Sequence, residues 1–216
     1  MKCVVTAGPT YENLDEVRRL TNFSTGRLGS ELARFLEGQG HQVQLLLGYY
    51  ATWRTEAEAK RTQIFTTTSD LHEKLRALRD DGAGAVFHAA AVSDFAFGKI
   101  WKRHADGRLE EVKSAKIPTR DGALFAELTP TPKIIGQLRD WFPQALLVGW
   151  KYEMTGDRPS VLRQAERQIL ECRTDLCVAN GRAYGEGFGL VTGAEKFLPL
   201  RDREDLFTAL AARLKS

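Results

Sequence analysis

The chain is poor in the features that place most sequences of its size in a class. It has only three cysteines, Cys3, Cys172 and Cys177. They show no metal-ligand spacing and cannot all pair, so reduced thiols are expected, with Cys177 in an apolar run as a core residue. No apolar stretch approaches the ~18 residues a membrane span needs. Met1-Lys2-Cys3-Val4-Val5 runs straight into a strand pattern, so no signal peptide is expected and the cytoplasm is the expected compartment. Charge of one sign is also lacking. The 31 Lys and Arg against 28 Asp and Glu leave +3, too weak a bias to call for nucleic acid and compatible with anionic small substrates. Neither the dinucleotide fingerprint G-x-G-x-x-G nor the Gly-Lys-Ser/Thr of a Walker loop is present.

With 43% hydrophobic and 27% charged residues, the 216-residue chain has an ordinary globular composition, and a single domain spanning 1–216 is expected. Its periodicity reads as alternating strands and helices. Lys2–Ala7 is a β-branched run, Ser30–Gln39 carries Leu32, Ala33, Phe35 and Leu36 at helical spacing, and Gln42–Leu47 is the next strand. The pattern repeats with a strand at Gln63–Thr67, a helix over Asp70–Asp80 with Ser69 as its cap, and a buried strand at Ala85–Ala91. Residues 95–120 have no clear period and read as a long loop with short strands or an edge hairpin. Further on come a helix at Pro132–Phe142, a strand at Ala145–Trp150, a helix at Pro159–Cys172 and a strand at Leu176–Ala179. A hairpin of Gly187–Thr192 with Lys196–Leu200 and a helix over Arg203–Leu214 close the chain. The sum is a doubly wound, mostly parallel, Rossmann-like α/β sheet with an irregular insertion and a C-terminal hairpin. In such folds ligands bind beyond the carboxyl ends of the strands.

That rule selects the segments to search. Ala7-Gly8-Pro9-Thr10 follows the first strand. Asn22-Phe23-Ser24-Thr25-Gly26-Arg27-Leu28-Gly29 precedes a helix, and its hydroxyls, glycines and free N–H groups suit an anion. His88-Ala89-Ala90-Ala91-Val92-Ser93-Asp94 places a carboxylate at the mouth of the sheet, able to accept hydrogen bonds or help hold Mg²⁺ near phosphates. His88 itself reads as a core histidine. Lys113 and Lys116 sit in the charged insertion, Trp150-Lys151 follows a strand, and Asn180 ends another.

Together these segments, with Lys116-Ile117, Thr131-Pro132-Lys133-Ile134-Ile135 and Val178-Ala179-Asn180, occur in an order that resembles the phosphopantothenate–cysteine ligase family over residues 1 to about 200. The resemblance implies a ligase that joins 4′-phosphopantothenate to cysteine through an acyl nucleotidylate in coenzyme A biosynthesis. It implies CTP or ATP as co-substrate with Mg²⁺, and a homodimer. The flavin decarboxylase domain fused to many such ligases is not in the sequence, so a stand-alone form without flavin is expected. The residue roles it implies are as follows: Asn22 holds the activated acyl group; Ala90, Ala91 and Asp94 surround the phosphopantothenate carboxyl and nucleotide; Arg18 reaches a partner's substrate; Gly8, Ser24, Gly26, Gly29, Trp150 and Asn180 cradle the nucleotide; and Lys116 contacts the triphosphate. No membrane or nucleic-acid partner is implied.

The sequence departs from the family pattern in its thinned loop lysines, in Trp150 where phenylalanine is usual, and in Gln168 and Cys172 where the late helix of the fusion form bears lysines, with Arg163 and Arg167 nearby. Two other readings stand beside the ligase. A nicotinamide-dependent reductase suits the doubly wound pattern, although none of the five tyrosines has a lysine four residues on. A non-catalytic nucleotide-binding protein suits the thinned lysines.

Overall fold

The computed structural model describes residues 1–53, 61–113, 116–117, 123–193 and 196–215. From the N-terminus, β1 (Lys2–Ala7) is followed by a small hairpin of β2 (Tyr11–Asn13) and β3 (Arg19–Thr21), then α1 (Arg27–Gly38), β4 (Gln42–Gly48) and β5 (Arg61–Phe65). Next come α2 (Thr68–Ala77), β6 (Ala85–His88), β7 (Phe95–Arg103), β8 (Leu109–Glu111) and β9 (Leu124–Pro130). A 3₁₀ turn at Ile134–Gln137 leads into the short α3 (Leu138–Trp141), followed by β10 (Leu146–Tyr152), α4 (Arg158–Cys172) and β11 (Leu176–Asn180). The antiparallel β12 (Phe188–Gly193) and β13 (Lys196–Leu200) and the helix α5 (Arg203–Ala212) complete the fold.

The eight-stranded sheet has the order β13-β12-β11-β10-β6-β1-β4-β5. Its six parallel strands wind outward from β1 in both directions, so β1 and β6 flank the point where the winding reverses. A doubly wound sheet opens its crevice there. The central strands are apolar on both faces, as two-sided burial requires. Cys3, Val5, Ala7 and Phe87 pack with Leu32 and Leu36 of α1 and with Leu206 and Leu210 of α5. Val4, Leu46, Val86 and Leu147 pack on the other face with Leu71 and Leu75 of α2 and with Leu138. Each fully buried Leu or Phe contributes roughly 1.5–3 kcal/mol by leaving water.

The parallel strands lie within a few residues of their sequence-based positions. Boundaries differ where local chemistry overrides periodicity. The cap of α2 is Thr67, whose side chain accepts from the Asp70 N–H, and not Ser69. Asp70 is in turn held by the Thr66 amide and hydroxyl. Helix α1 begins at Arg27, three residues before Ser30, from Gly26 in the left-handed region. The expected 132–142 helix is a 3₁₀ turn followed by a single α turn, consistent with Gly136 inside it and Pro143 beyond. The insertion is more regular than its sequence suggests: β7, β8 and β9 form a separate antiparallel sheet of order β8-β7-β9. Most of β9 is exposed, so no alternation marks it in the sequence. The β2–β3 hairpin is likewise too short to carry a period.

Candidate functional site

The candidate site lies at the carboxyl ends of β1, β6, β10 and β11. The pairing of β1 with β6 continues past both strands. The Ala89 N–H donates to the Thr6 carbonyl (3.2 Å), Ala91 N–H to Gly8 O (3.0 Å) and Thr10 N–H to Ala91 O (3.1 Å). Side chains reinforce the seam. The Thr6 hydroxyl accepts from the Ala90 N–H at 3.1 Å, and the Thr10 hydroxyl accepts from the Ser93 N–H at 2.8 Å. The Ala90–Asp94 segment therefore leaves the sheet along a fixed path.

The β2–β3 hairpin is fastened to this seam at its base. The Thr21 hydroxyl donates to Thr10 O at 2.8 Å, and the Asn22 amide donates to Ala91 O at 3.1 Å. One N–H of Asn22 is thereby used as a tether, which leaves its second N–H and its carbonyl for a ligand. The structure thus brings Asn22, Ala90, Ala91 and Asp94 together at the end of β6.

Beyond them opens a cleft of about 690 Å³ lined by Ala90, Asp94, Lys133, Trp150, Lys151 and Gln168, among others. Its rims are held by specific bonds. Thr131 N–H donates to Asp94 O at 3.0 Å and its hydroxyl to Ser93 O at 2.5 Å, which joins the Ala90–Asp94 and 130–135 segments. Gly149 has no room for a Cβ, because the Gln168 amide fills the space; Gln168 thereby reaches across to donate to Cys177 Sγ at 3.2 Å. Burial pushes the Cys177 thiol up to about 12, so it is a core thiol.

His88 also borders the cleft. It is buried, with Nδ1 2.9 Å from the Thr6 hydroxyl, and burial lowers its pKa to about 4. It is a neutral core histidine, as the sequence suggests. The Thr6 hydroxyl thus joins the imidazole to the Ala90 N–H.

Asn180 stands apart from this cleft, in a neighbouring cavity of about 400 Å³ with Gly181, Arg182 and Arg201. Tyr152 borders both spaces. Asn180 Oδ1 and Trp150 Nε1 are buried and have no hydrogen-bond partner among the described residues. They sit on adjacent parallel strands, where Tyr152 is in register with Asn180. A buried acceptor and donor left open cost free energy until something pairs with them.

Gly8, Gly26 and Gly29, expected from the sequence to cradle a nucleotide, are explained by the chain's own packing. Gly8 and Gly26 have φ of 82° and 78°, and a Cβ on either would come within 2.9 Å of Ala51 Cβ. At Gly29 a Cβ would lie 2.6 Å from Ala7 Cβ, so α1 can approach β1 only with glycine there. Ser24 is half-buried beside them.

Arg18 and Lys116 lie at the far tip of the hairpin. The Asp15 carboxylate accepts from the Val17 and Arg18 N–H groups and from Ile117 N–H. Arg18 Nη2 lies 2.7 Å from Asp15 Oδ2 and donates to Ile117 O at 2.6 Å. Desolvation favours the neutral acid, but the three backbone donors and the guanidinium outweigh it and hold Asp15 at about 2. In one chain Arg18 is thus committed to this clasp. Lys116 rides beside it and is not among the lining residues of the cleft.

The cations that do line the cleft are Lys133, Lys151 and Arg167. Lys151, which the strand-end search reached as the neighbour of Trp150, is the penultimate residue of β10. Lys133 is separated from Asp94 by 38 intervening residues in sequence and joins it only through Thr131. No group of three or more His, Cys, Asp or Glu suited to a metal occurs among the described residues, and no described helix is long and apolar enough to cross a membrane.

Residues 1–208 match the model of the DNA/pantothenate metabolism flavoprotein C-terminal domain. The chain is similar to the coenzyme A biosynthesis bifunctional protein CoaBC of Thermococcus kodakarensis, 34% identical over 85% of this chain and 42% of that protein. Its counterpart in Bacillus subtilis is 29% identical over 94% of this chain and 48% of that protein. The chain therefore spans less than half the length of these two relatives. Among solved structures, the DNA/pantothenate metabolism flavoprotein from Streptococcus pneumoniae superposes with a TM-score of 0.86 at 24% identity, covering all of this chain and 98% of that one. A Cab2 H337A mutant in complex with phosphopantothenate-cysteine superposes at 0.69 with 19% identity, covering all of this chain and 89% of that one. The structural likenesses establish the shared fold, and the match over residues 1–208 places the chain in the family of the C-terminal domain of DNA/pantothenate metabolism flavoproteins.

Proposed function

We propose that the chain, acting as a single ligase domain, joins 4′-phosphopantothenate to cysteine at the expense of a nucleoside triphosphate, as a step of coenzyme A biosynthesis in the cytoplasm. One observation carries this reading: the Asn22 amide is tethered to Ala91 O, in the segment that runs on to Asp94 and into a 690 Å³ cleft bordered by Lys133, Lys151 and Arg167. The substrate carboxylate attacks the α-phosphorus of the nucleotide, the bond to the bridging oxygen breaks, and pyrophosphate leaves. The cysteine amine then attacks the acyl carbon and loses a proton, and the nucleoside monophosphate departs with the bonding pair. Neither step needs a protein nucleophile. Both need positioning, cations near the phosphates and a donor for the acyl oxygen.

In this reading the free N–H of Asn22 donates to the acyl oxygen. Ala90 and Ala91, which have small side chains, let the substrate lie against the strand end. Gly8, Ser24, Gly26 and Gly29 shape the nucleotide side, and the open Trp150 donor and Asn180 acceptor suit a polar ligand edge. Lys116 supplies charge to the triphosphate from a segment fastened through Ile117 to the same hairpin that carries Asn22. A single carboxylate suits Mg²⁺, which binds through one or two carboxylates plus substrate phosphates. Asp94 would hold the ion, whose charge would offset that of the triphosphate when bound. CTP and ATP are both candidate co-substrates, and no flavin is required.

The hairpin and the three-stranded sheet expose Leu20, Phe23, Phe95, Phe125 and Leu128, an apolar surface suited to a second copy of the chain. In the proposed homodimer, Arg18 meets the substrate bound by the partner. Light scattering measures that state directly.

The decisive experiment supplies phosphopantothenate, cysteine and either CTP or ATP, and follows both pyrophosphate release and amide formation. Release that depends on phosphopantothenate, with amide appearing when cysteine is added, supports the ligase. No release with either nucleotide favours a non-catalytic binder, and tight NADPH binding in its place favours a reductase.

A further inference from the structure

The cleft beside Asp94 has two lysines that no role above employs. Lys133 comes from the segment after β9, and Lys151 from the end of β10. Lys133 is mounted rigidly. Two residues before it, Thr131 is bonded to Ser93 O and Asp94 O, and Lys133 O itself accepts from Gly136 N–H at 3.1 Å. It makes no ion pair among the described residues, whereas the other cleft cations do. Lys151 Nζ lies 3.3 Å from Glu153, which is not among the lining residues, whereas Arg167 lies 3.8 Å from Glu171, a carboxylate that itself lines the cleft and offsets the arginine's charge. The two lysines also share a neighbour. Burial pushes the Cys172 thiol up, and the positive charges of both Lys133 and Lys151 pull it the other way. Two cations from separate elements thus converge on one concave space, and a polyphosphate is the ligand whose several negative charges call for both.

We propose that Lys133 and Lys151 clamp the polyphosphate of the nucleotide from two sides of this cleft. The assignment rests on the ligase reading and adds two phosphate-binding residues to it. Isothermal titration with inorganic tripolyphosphate, and with nucleoside tri- and monophosphates, tests it. Lys133→Gln and Lys151→Gln are each expected to weaken tripolyphosphate and triphosphate binding about tenfold, the loss of one charge-assisted contact. Monophosphate binding is expected to weaken less, within about threefold, because it brings fewer negative charges to the two lysines. KM for the nucleotide should rise while KM for cysteine stays unchanged, and Lys133→Arg and Lys151→Arg should recover most of the affinity. In the unmodified protein, tripolyphosphate should protect both lysines from reductive methylation, a readout independent of how the variants fold. Wild-type tripolyphosphate affinity in both glutamine variants, or equal methylation with and without the ligand, would overturn the clamp while leaving an active ligase intact. A native protein that neither binds nucleotide nor releases pyrophosphate would overturn clamp and ligase together.

Discussion

Acidification from pH 6.5 towards 4 is expected to destabilise this protein through His88. Its ring is 6% exposed, and burial lowers its pKa from 6.5 to about 4. In the unfolded chain the ring takes up a proton near pH 6.5, whereas in the folded protein it does so only near 4. The unfolded state therefore binds more protons between these values, and the contribution of neutral His88, complete above pH 6.5, declines as pH falls through that window. A displacement of this size corresponds to about 3 kcal/mol, a large part of the 5–15 kcal/mol typical of a folded domain. Urea unfolding of the wild type and of His88→Asn at pH 7, 6 and 5 isolates the effect. The variant should be less stable at pH 7, because it leaves a cavity beside Thr6, but should lose about 2 kcal/mol less than the wild type between pH 7 and 5. The other three histidines are common to both proteins and drop out of the difference. Parallel pH dependences, or an NMR titration of the His88 ring near 6.5, would refute the argument. Because the Thr6 hydroxyl bonds both His88 and the Ala90 N–H, protonation is also expected to loosen the seam that carries Ala90 and Asp94.

Three further outcomes follow from the site. Asn22→Asp should leave nucleotide-dependent pyrophosphate release largely intact and slow amide formation by about 10²-fold, since one donor to the acyl oxygen is lost; equal loss of both half-reactions, measured separately, would contradict that role. Lys116→Gln should slow pyrophosphate release itself, and wild-type release rates would reduce Lys116 to surface charge. Gly29→Ala should lower the melting temperature by about 2–6 °C. The added methyl would meet Ala7 Cβ at 2.6 Å, and overpacking of about 1–3 kcal/mol exceeds the gain of up to about 1 kcal/mol in helix propensity. An unchanged or higher melting temperature would show that α1 can retreat from β1.

Much of the fold was legible because its parallel strands are buried on both faces. Continuous apolar runs such as Val4-Val5 and Leu45-Leu46-Leu47, with amphipathic helices between them, dictate a doubly wound sheet whatever the details. The same logic pointed to the strand ends, and Asn22, Ala90, Ala91 and Asp94 do gather at one of them. Segments without a buried face were not legible. The exposed β9 has no alternation to read, and the three-residue strands of the β2–β3 hairpin depend on the Asp15 clasp with Ile117, a residue about a hundred positions away.

Local periodicity was therefore enough to determine the order of the buried strands and the helices between them, and with it the edge of the sheet to search for a site. Tertiary structure decided which charges face that edge. Lys116 was singled out from the sequence but sits at the hairpin tip. Lys133 and Lys151 entered the cleft through Thr131 and the register of β10 against β6. The glycines look alike in sequence, but the fold gives Gly29 to helix–strand contact and Gly8 and Gly26 to tight turns against Ala51. Periodicity along a chain records which side of an element is buried, whereas the position of a charge in space depends on contacts between segments that the sequence keeps far apart.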